Sequence, residues 1–147
     1  MNNGSSEGRI PNGYYQARAI RTELEDGSKP FVQLGLSKRS GTKQVLMMFQ
    51  IEGGEHKGKT FPWFGYITED SRERTIAALR LCGWKGKSFS TINDEELTDL
   101  VSVTIETETY DGKTRSRVSW VNDLSGPKIE LDRKMDAKAI KELDKLL

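Results

Sequence analysis

The sequence predicts a mostly-β fold, a five-stranded antiparallel barrel with a helix between its third and fourth strands and a short C-terminal helix. Three observations lead to this prediction. Segments with apolar residues at every second position are separated by glycine-containing turns. One central segment has helical spacing instead. The last two strands are joined by an Asp-Gly turn, which is typical of a β-hairpin.

The first half of the chain supplies the strands before the helix. Residues 1–12 are polar, contain glycine and serine, and are expected to form a flexible lead. Four segments of alternating pattern follow, at residues 14–24, 31–37, 43–52 and 60–68. The second and third segments are interpreted as one long bent strand, interrupted at residues 38–42.

The second half of the chain begins with the helical segment. Asp70 is expected to cap this helix and Gly83 to end it. A shorter helix is expected from Asn93 to about Leu100. The hairpin of the last two strands turns at Asp111-Gly112, and residues 136–147 are expected to form the C-terminal helix.

This order of elements is typical of the oligonucleotide/oligosaccharide-binding barrel, or OB-fold. The predicted domain spans residues 13–123, between the lead at 1–12 and a C-terminal extension at 124–147. A ferredoxin-like fold would need a helix between the first two strands, and the sequence indicates none there.

Composition argues against several classes of protein. The longest apolar run is residues 45–49, far shorter than the ~20 residues of a membrane-spanning helix, and no secretory signal opens the chain. Cys82 is the one cysteine and His56 the one histidine, so an internal disulfide and an ordinary Cys/His zinc site are excluded. We expect a cytoplasmic protein without membrane contact, metal or cofactor.

Enzymatic candidates are weak. His56 lies in a glycine-rich turn, where we expect it to be exposed, and Cys82 lies on the apolar side of the helix, where core packing is the usual role. The acidic residues at 94–99 are typical of a helix start. The net charge of +1 permits an anionic partner without requiring one. The sequence therefore favours a binding protein over an enzyme.

Residues 53–60 match the phosphate-binding P-loop pattern G-x-x-x-x-G-K-T. A P-loop needs a helix to begin at its Lys-Thr, because the helix amides bind the phosphates. Thr60 is instead followed by Pro62 and several aromatic residues, which disfavour a helix. The preferred interpretation is a hairpin turn, and nucleotide binding is the less favoured alternative.

An aromatic strand follows this turn and suggests nucleic-acid binding. Its rings lie close in sequence to two lysines, and the candidate residues are Lys57, Lys59, Trp63, Phe64 and Tyr66. One face of the strand must pack inward, so the other would present flat rings beside cations. Single-stranded nucleic acid binds by stacking its bases on such rings.

Two further basic groups are candidates for phosphate contacts. Lys113, Arg115 and Arg117 alternate along the last strand and therefore share one face. Protection of an edge strand by charge is the structural alternative. The loop after the second segment adds Lys38, Arg39 and Lys43. We expect this loop and the last hairpin to flank the same face of the barrel.

Several segments together carry a resemblance to a known family. They are Pro11–Tyr15, the turn with Lys57-Gly58-Lys59, the helix end Ala78–Gly83, and Tyr110–Arg115 with Arg117. In order and spacing they resemble a family of small phage-encoded single-stranded-DNA-binding proteins. The resemblance implies an OB-fold that coats single-stranded DNA without reading its bases, in phage replication or recombination.

The resemblance also implies partners. A phage recombinase, helicase or polymerase would be the protein partner, and the place of action would be the host cytoplasm. The amphipathic pattern at residues 136–147 is expected to pack on the barrel or to pair with another copy or a replication protein. The alternative to nucleic-acid binding is a protein-interaction module that uses Trp63 and its neighbours as a hot spot.

Overall fold

A computed structural model describes residues 9–125 and 134–147. The elements in these two ranges are β1 (Gly13–Ile20), β2 (Val32–Leu36), β3 (Lys43–Ile51), β4 (Thr60–Tyr66), α1 (Arg72–Leu81), a 3₁₀ helix (Phe89–Asp94), β5 (Val101–Tyr110), β6 (Lys113–Asn122) and α2 (Ala137–Asp144). The mostly-β prediction is confirmed. The elements fall where the sequence changes between alternating and helical spacing, because each period buries one face of its element.

The six strands form one sheet in the order β1-β5-β6-β4-β3-β2. β1 also pairs with β3, so five of the strands form a closed circle of pairings and β2 lies outside it. All pairings are antiparallel except that of β4 with β6, in which Trp63 lies opposite Val118. The predicted set of five antiparallel strands is therefore corrected to six strands with one parallel pairing.

The sixth strand arises because the predicted second and third segments are two separate strands, β2 and β3, rather than two halves of one bent strand. β1 lies opposite residues 48–51 of β3, and β2 lies opposite residues 43–47 on the same side. Between them the chain leaves the sheet through a tight turn in which Gly27, with φ +88°, donates to the carbonyl of Leu24. The bend expected at residues 38–42 is instead the loop of an antiparallel hairpin.

The core lies inside the circle of strands and under α1. Its largest fully buried side chains are Phe49, Phe61, Met47, Ile51, Leu79, Ile92, Leu97 and Ile105. α1 contributes Thr75, Ala78 and Leu79 to this core. Cys82 follows α1 and is also buried; burial, and then the nearby charge of Asp99, raise the pKa of its thiol to about 12. The expected core role of Cys82 is confirmed.

Two expected helix boundaries are corrected. Ser71, not Asp70, is the N-cap residue of α1, and its hydroxyl donates to the carbonyl of Tyr66 rather than capping an amide of the helix. The short helix expected at residues 93–100 is a 3₁₀ helix that ends at Asp94. Its start is fixed by the Ser88 side chain, which accepts from the amide of Ser90.

Both ends of the domain carry extensions. Residues 1–8 of the expected lead and 126–133 of the extension lie outside the described residues, but Ile10 is buried and its amide donates to the Ser116 hydroxyl (2.9 Å). α2 forms as predicted, with Asp136 accepting from the amide of Ala139. No residue of α2 is buried, so the expected packing on the sheet is not seen. Within the described ranges, no helix has the length and apolarity needed to cross a membrane.

Candidate nucleic-acid interface

The two faces of β4 separate its aromatic residues into a buried and an exposed set. Phe61 and Trp63 face inward and are 1% and 5% exposed, whereas Phe64 and Tyr66 face outward and are 37% and 43% exposed. The ring of Trp63 packs edge-to-face on Phe49, with 6.4 Å between centroids. The stacking role expected for Trp63 is therefore corrected to a core role.

Gly65 fixes which way this strand faces. A Cβ at Gly65 would lie 2.7 Å from the Trp63 ring and 2.8 Å from the methyl group of Thr75 on α1. Only a residue without a side chain fits there, so α1 lies close against β4. The Thr75 hydroxyl also donates to the carbonyl of Tyr66 (2.7 Å), which ties the helix to the end of the strand.

A β-bulge brings a third ring to the outer surface. The register between β5 and β6 shifts after Thr104, so that Thr104 lies opposite Trp120 and Ile105 lies opposite Val118. Ser119 is the extra residue of the bulge, and it turns Trp120 outward, where it is 46% exposed. Strict alternation would place Trp120 on the same face as the buried Val118, and the bulge prevents this.

These rings meet in one cleft between β4, β6 and α1, with a volume of about 290 Å³. We define the aromatic cleft by Phe64, Tyr66, Arg74, Arg117 and Trp120, which all line it. The guanidinium carbon of Arg74 lies 4.7 Å from the centroid of the Trp120 ring, a cation–π contact that keeps the ring beside a positive charge. The cleft thus combines flat apolar surface with cations, and the carboxylate of Glu106 also lines it.

The row of cations on β6 is partly neutralised by its neighbour. Arg117 forms an ion pair with Glu108 on β5 and is half-buried, and Glu106 lies opposite it in register. Arg115 in turn lies opposite Glu108. The expectation that Arg117 belongs to a continuous phosphate track is corrected, because acids of β5 alternate with these cations. Lys113 and Arg115 are exposed.

The remaining predicted cations lie at two opposite ends of the sheet. Because β4 and β6 run parallel, Lys113 reaches the same end as the turn that carries Lys57 and Lys59. The loop with Lys38 and Arg39 precedes β3 and lies at the other end, roughly 25 Å away along the strand. The loop and the last hairpin therefore do not flank one face as expected.

Further cations lie at the end of the sheet that holds the aromatic cleft. The carbonyl of Lys43 accepts from the amide of Ile67 just after Tyr66, and Lys43 lines a shallow pocket together with Arg72. Arg74 lines the aromatic cleft itself. Sequence analysis missed Arg72 and Arg74, whose one signal was a pair of arginines in the first turn of the predicted helix.

The glycine-rich turn does not form a P-loop. Thr60 begins β4 rather than a helix, as the sequence predicted, so the helix amides that bind phosphates are absent there. His56 is half-buried rather than exposed, because its ring contacts Tyr15 edge-to-face at 6.0 Å. Within the described residues, no group of three His, Cys, Asp or Glu side chains is arranged to hold a metal ion.

Comparisons with known proteins add no relative. No protein-family model matches the chain, and a search of curated proteins finds no match. The aromatic cleft and the residues around it are therefore what the molecule itself offers as evidence of function.

Proposed function

We propose that this protein binds single-stranded DNA without sequence preference, by stacking bases in the aromatic cleft and holding phosphates with the cations around it. The observation that carries the proposal is the convergence of Phe64, Tyr66 and Trp120 in one cleft, with Arg74 against the Trp120 ring. The proposed role is binding and protection of DNA, with no catalytic step.

The chemistry of the cleft fits an unpaired strand better than a duplex. Every base has a flat π-face, so exposed rings bind bases of any identity, and each stacked base contributes ~1–3 kcal/mol. The bases of a duplex are already stacked on each other and offer no free face. Arg74, Arg72 and Lys43 lie within the same region to contact phosphates. Binding is then nonspecific and weakens with salt.

The sheet supports an OB-fold assignment, which we also propose. In that assignment β1 and β2 are the two halves of an interrupted first strand, and α1 lies between the third and fourth strands. OB-folds bind ligands on the outer face of their second and third strands, which correspond here to β3 and β4. Phe64 and Tyr66 project from that face.

The resemblance to phage single-stranded-DNA-binding proteins supports DNA as the ligand and phage replication or recombination as the process. It also supports a recombinase, helicase or polymerase as a partner.

Fluorescence titration with oligo-dT tests the proposal directly. Trp63 and Trp84 are each 5% exposed, so Trp120 is expected to give most of the change in emission when a ligand enters the cleft. We expect quenching by oligo-dT that weakens with salt, and much less quenching by duplex DNA of the same length.

A pair of variants sharpens this test, with binding followed by anisotropy of labelled oligo-dT. Trp120→Ala is expected to weaken binding, whereas Tyr14→Ala removes a more exposed ring outside the cleft and is expected to leave binding unchanged. Equal effects of the two variants, or no binding at low salt, would overturn the proposal. Absence of binding would favour the alternative of a protein partner on these rings.

A further inference from the structure

The outer edge of β2 is open. β2 pairs with β3 on one side and is the last strand of the sheet on the other. Leu34 and Leu36 are 50% and 63% exposed, although both belong to this strand. An exposed edge with apolar side chains is a template for pairing with another strand.

The hydrogen-bond pattern identifies which backbone groups face outward. The amide of Ser37 donates to the carbonyl of Thr42, so odd-numbered residues of this hairpin bond to β3. The amides and carbonyls of Leu34 and Leu36 therefore point away from β3. Within the described residues, no backbone partner meets them there.

The start of the same edge is closed by a side chain. The amide of Val32 donates to Oδ1 of Asn93 and the carbonyl of Val32 accepts from Nδ2 of Asn93, both at 2.8 Å. The Asn93 amide thus takes the place of one residue of a neighbouring strand. The Asn93 side chain therefore limits pairing with an added strand to the segment of β2 from Leu34 onward.

We propose that β2 is an interface for a second copy of this chain, paired antiparallel across a two-fold axis at Gly35. In this register Leu34 lies opposite Leu36 of the second copy, and the two residues exchange both of their backbone hydrogen bonds. The same exchange occurs on the other side of the axis. Gly35 faces Gly35 of the second copy in the closely spaced, non-hydrogen-bonded position.

The local sequence favours a second copy as the occupant. A two-fold interface must be self-complementary, and Leu34-Gly35-Leu36 is identical when read in either direction. The four leucines share one face of the joined sheet, since residues two apart point the same way, and they cover one another.

Charge supports the same arrangement. Lys38 lies in the turn after β2, and in this register position 38 is opposite position 32 of the second copy. There Asn93 bonds to Val32, and the exposed carboxylate of Asp94 comes next in the chain. In the antiparallel pairing, Lys38 of each copy would therefore lie near Asp94 of the other. A parallel pairing would instead bring Lys38 near Lys38 and Asp94 near Asp94.

The interface is short, so association is expected to depend on concentration. Two residues a copy contribute backbone hydrogen bonds, which places the contact below the size of a stable dimer interface. Analytical ultracentrifugation from about 5 to about 500 µM covers the range in which such weak contacts form. The measurement uses the full chain without DNA, so it is independent of the proposed DNA binding.

Leu36→Lys tests the contribution of the edge. The side chain is exposed, so the fold is expected to be unchanged, while two introduced charges would weaken association by about tenfold or more. Leu124→Lys is the matched control, because Leu124 is similarly exposed (52%) and lies outside β2. A monomer at every concentration for the wild type, or equal association of Leu36→Lys, would overturn the proposal.

A cysteine scan tests the register. No atom lies within 4 Å of a Cβ at Gly35, so Gly35→Cys fits, and the two-fold pairing places it opposite itself at a separation suited to a disulfide. Gln33→Cys is the control, because its copies would lie about 13 Å apart. The buried Cys82 thiol does not compete.

The expected result in a glutathione redox buffer is rapid disulfide dimer formation by Gly35→Cys and slow formation by Gln33→Cys. Equal rates would show that the copies do not pair in this register and would overturn the proposal. The proposal would also be overturned if adding Leu36→Lys to Gly35→Cys left the rate of disulfide formation unchanged. Another surface, such as the exposed face of α2, would then hold the two copies together.

Discussion

The inner and outer faces of β4 carry similar aromatic residues but have opposite surroundings. Phe61 and Trp63 lie in the core, while Phe64 and Tyr66, on the same strand, line the open cleft. The comparison shows that ring content alone does not identify a binding residue. The direction of the side chain decides, and here Gly65 and α1 fix that direction. Substitutions on the inner face should reduce stability, and those on the outer face should reduce binding.

Trp63→Ala is expected to have the largest effect. Removing a buried ring that packs on Phe49 leaves a cavity, which costs roughly 3–5 kcal/mol of unfolding free energy. Urea denaturation followed by circular dichroism measures it. The control is Tyr66→Ala on the outer face, expected to cost less than about 1 kcal/mol. Equal losses would remove the distinction between the two faces.

Gly65→Ala is expected to cause the second-largest loss of stability. The added methyl group would lie 2.7 Å from the Trp63 ring, so the strand or α1 must shift, at a cost of about 2–3 kcal/mol. The same denaturation experiment applies. Gly35→Ala adds the same group to a strand position with open space and is expected to change stability by less than about 1 kcal/mol. A neutral Gly65→Ala would contradict the close approach of α1 to β4.

Phe64→Ala is expected to leave stability nearly unchanged and to weaken binding of oligo-dT. Loss of one stacking ring corresponds to about 2 kcal/mol, or about 30-fold in Kd. Anisotropy of labelled oligo-dT measures the affinity. Tyr14→Ala again serves as the exposed-ring control. Unchanged affinity of Phe64→Ala would show that the exposed face of β4 does not bind DNA.

Arg74→Ala should have the smallest effect on the affinity for oligo-dT. Its cation–π contact with Trp120 is worth about 0.5–1 kcal/mol at an exposed site. Loss of one phosphate contact would also reduce the slope of log K against log salt by about 0.7. Arg80→Ala, on the same helix but outside the cleft, is the control. Identical salt slopes for the two variants would show that Arg74 contacts no phosphate.

Much of the fold could be predicted from the sequence because most strands alternate regularly. The limits of β3 and the presence of α1 and of the β5–β6 hairpin follow from spacing and from the Asp-Gly turn. The separate β2 could not be predicted in the same way. Its position depends on pairing with the same side of β3 as β1, which is a long-range contact that local pattern does not encode.

The candidate site was harder to predict than the fold. Both faces of β4 are aromatic, so alternation identified the two sets without indicating which one was buried. Strict alternation could not place Trp120, because the buried Val118 and Val121 are three residues apart and the bulge between them is visible only in the structure. The contribution of Arg74 depends on how α1 lies against the sheet, so a helix pattern alone cannot reveal it.

The parallel pairing of β4 with β6 has a consequence for the order of folding. In the described chain Trp63 and Val118 are the one pair in register there, and they are far apart in sequence. Such a contact closes late, after β3–β4 and β5–β6 have formed as local hairpins, and its single pair in register leaves the amides beside it with few ladder hydrogen bonds. Amides beside it should exchange with deuterium before those of β3. A strand of DNA bound across β4 and β6 would slow that exchange by holding the circle of strands closed.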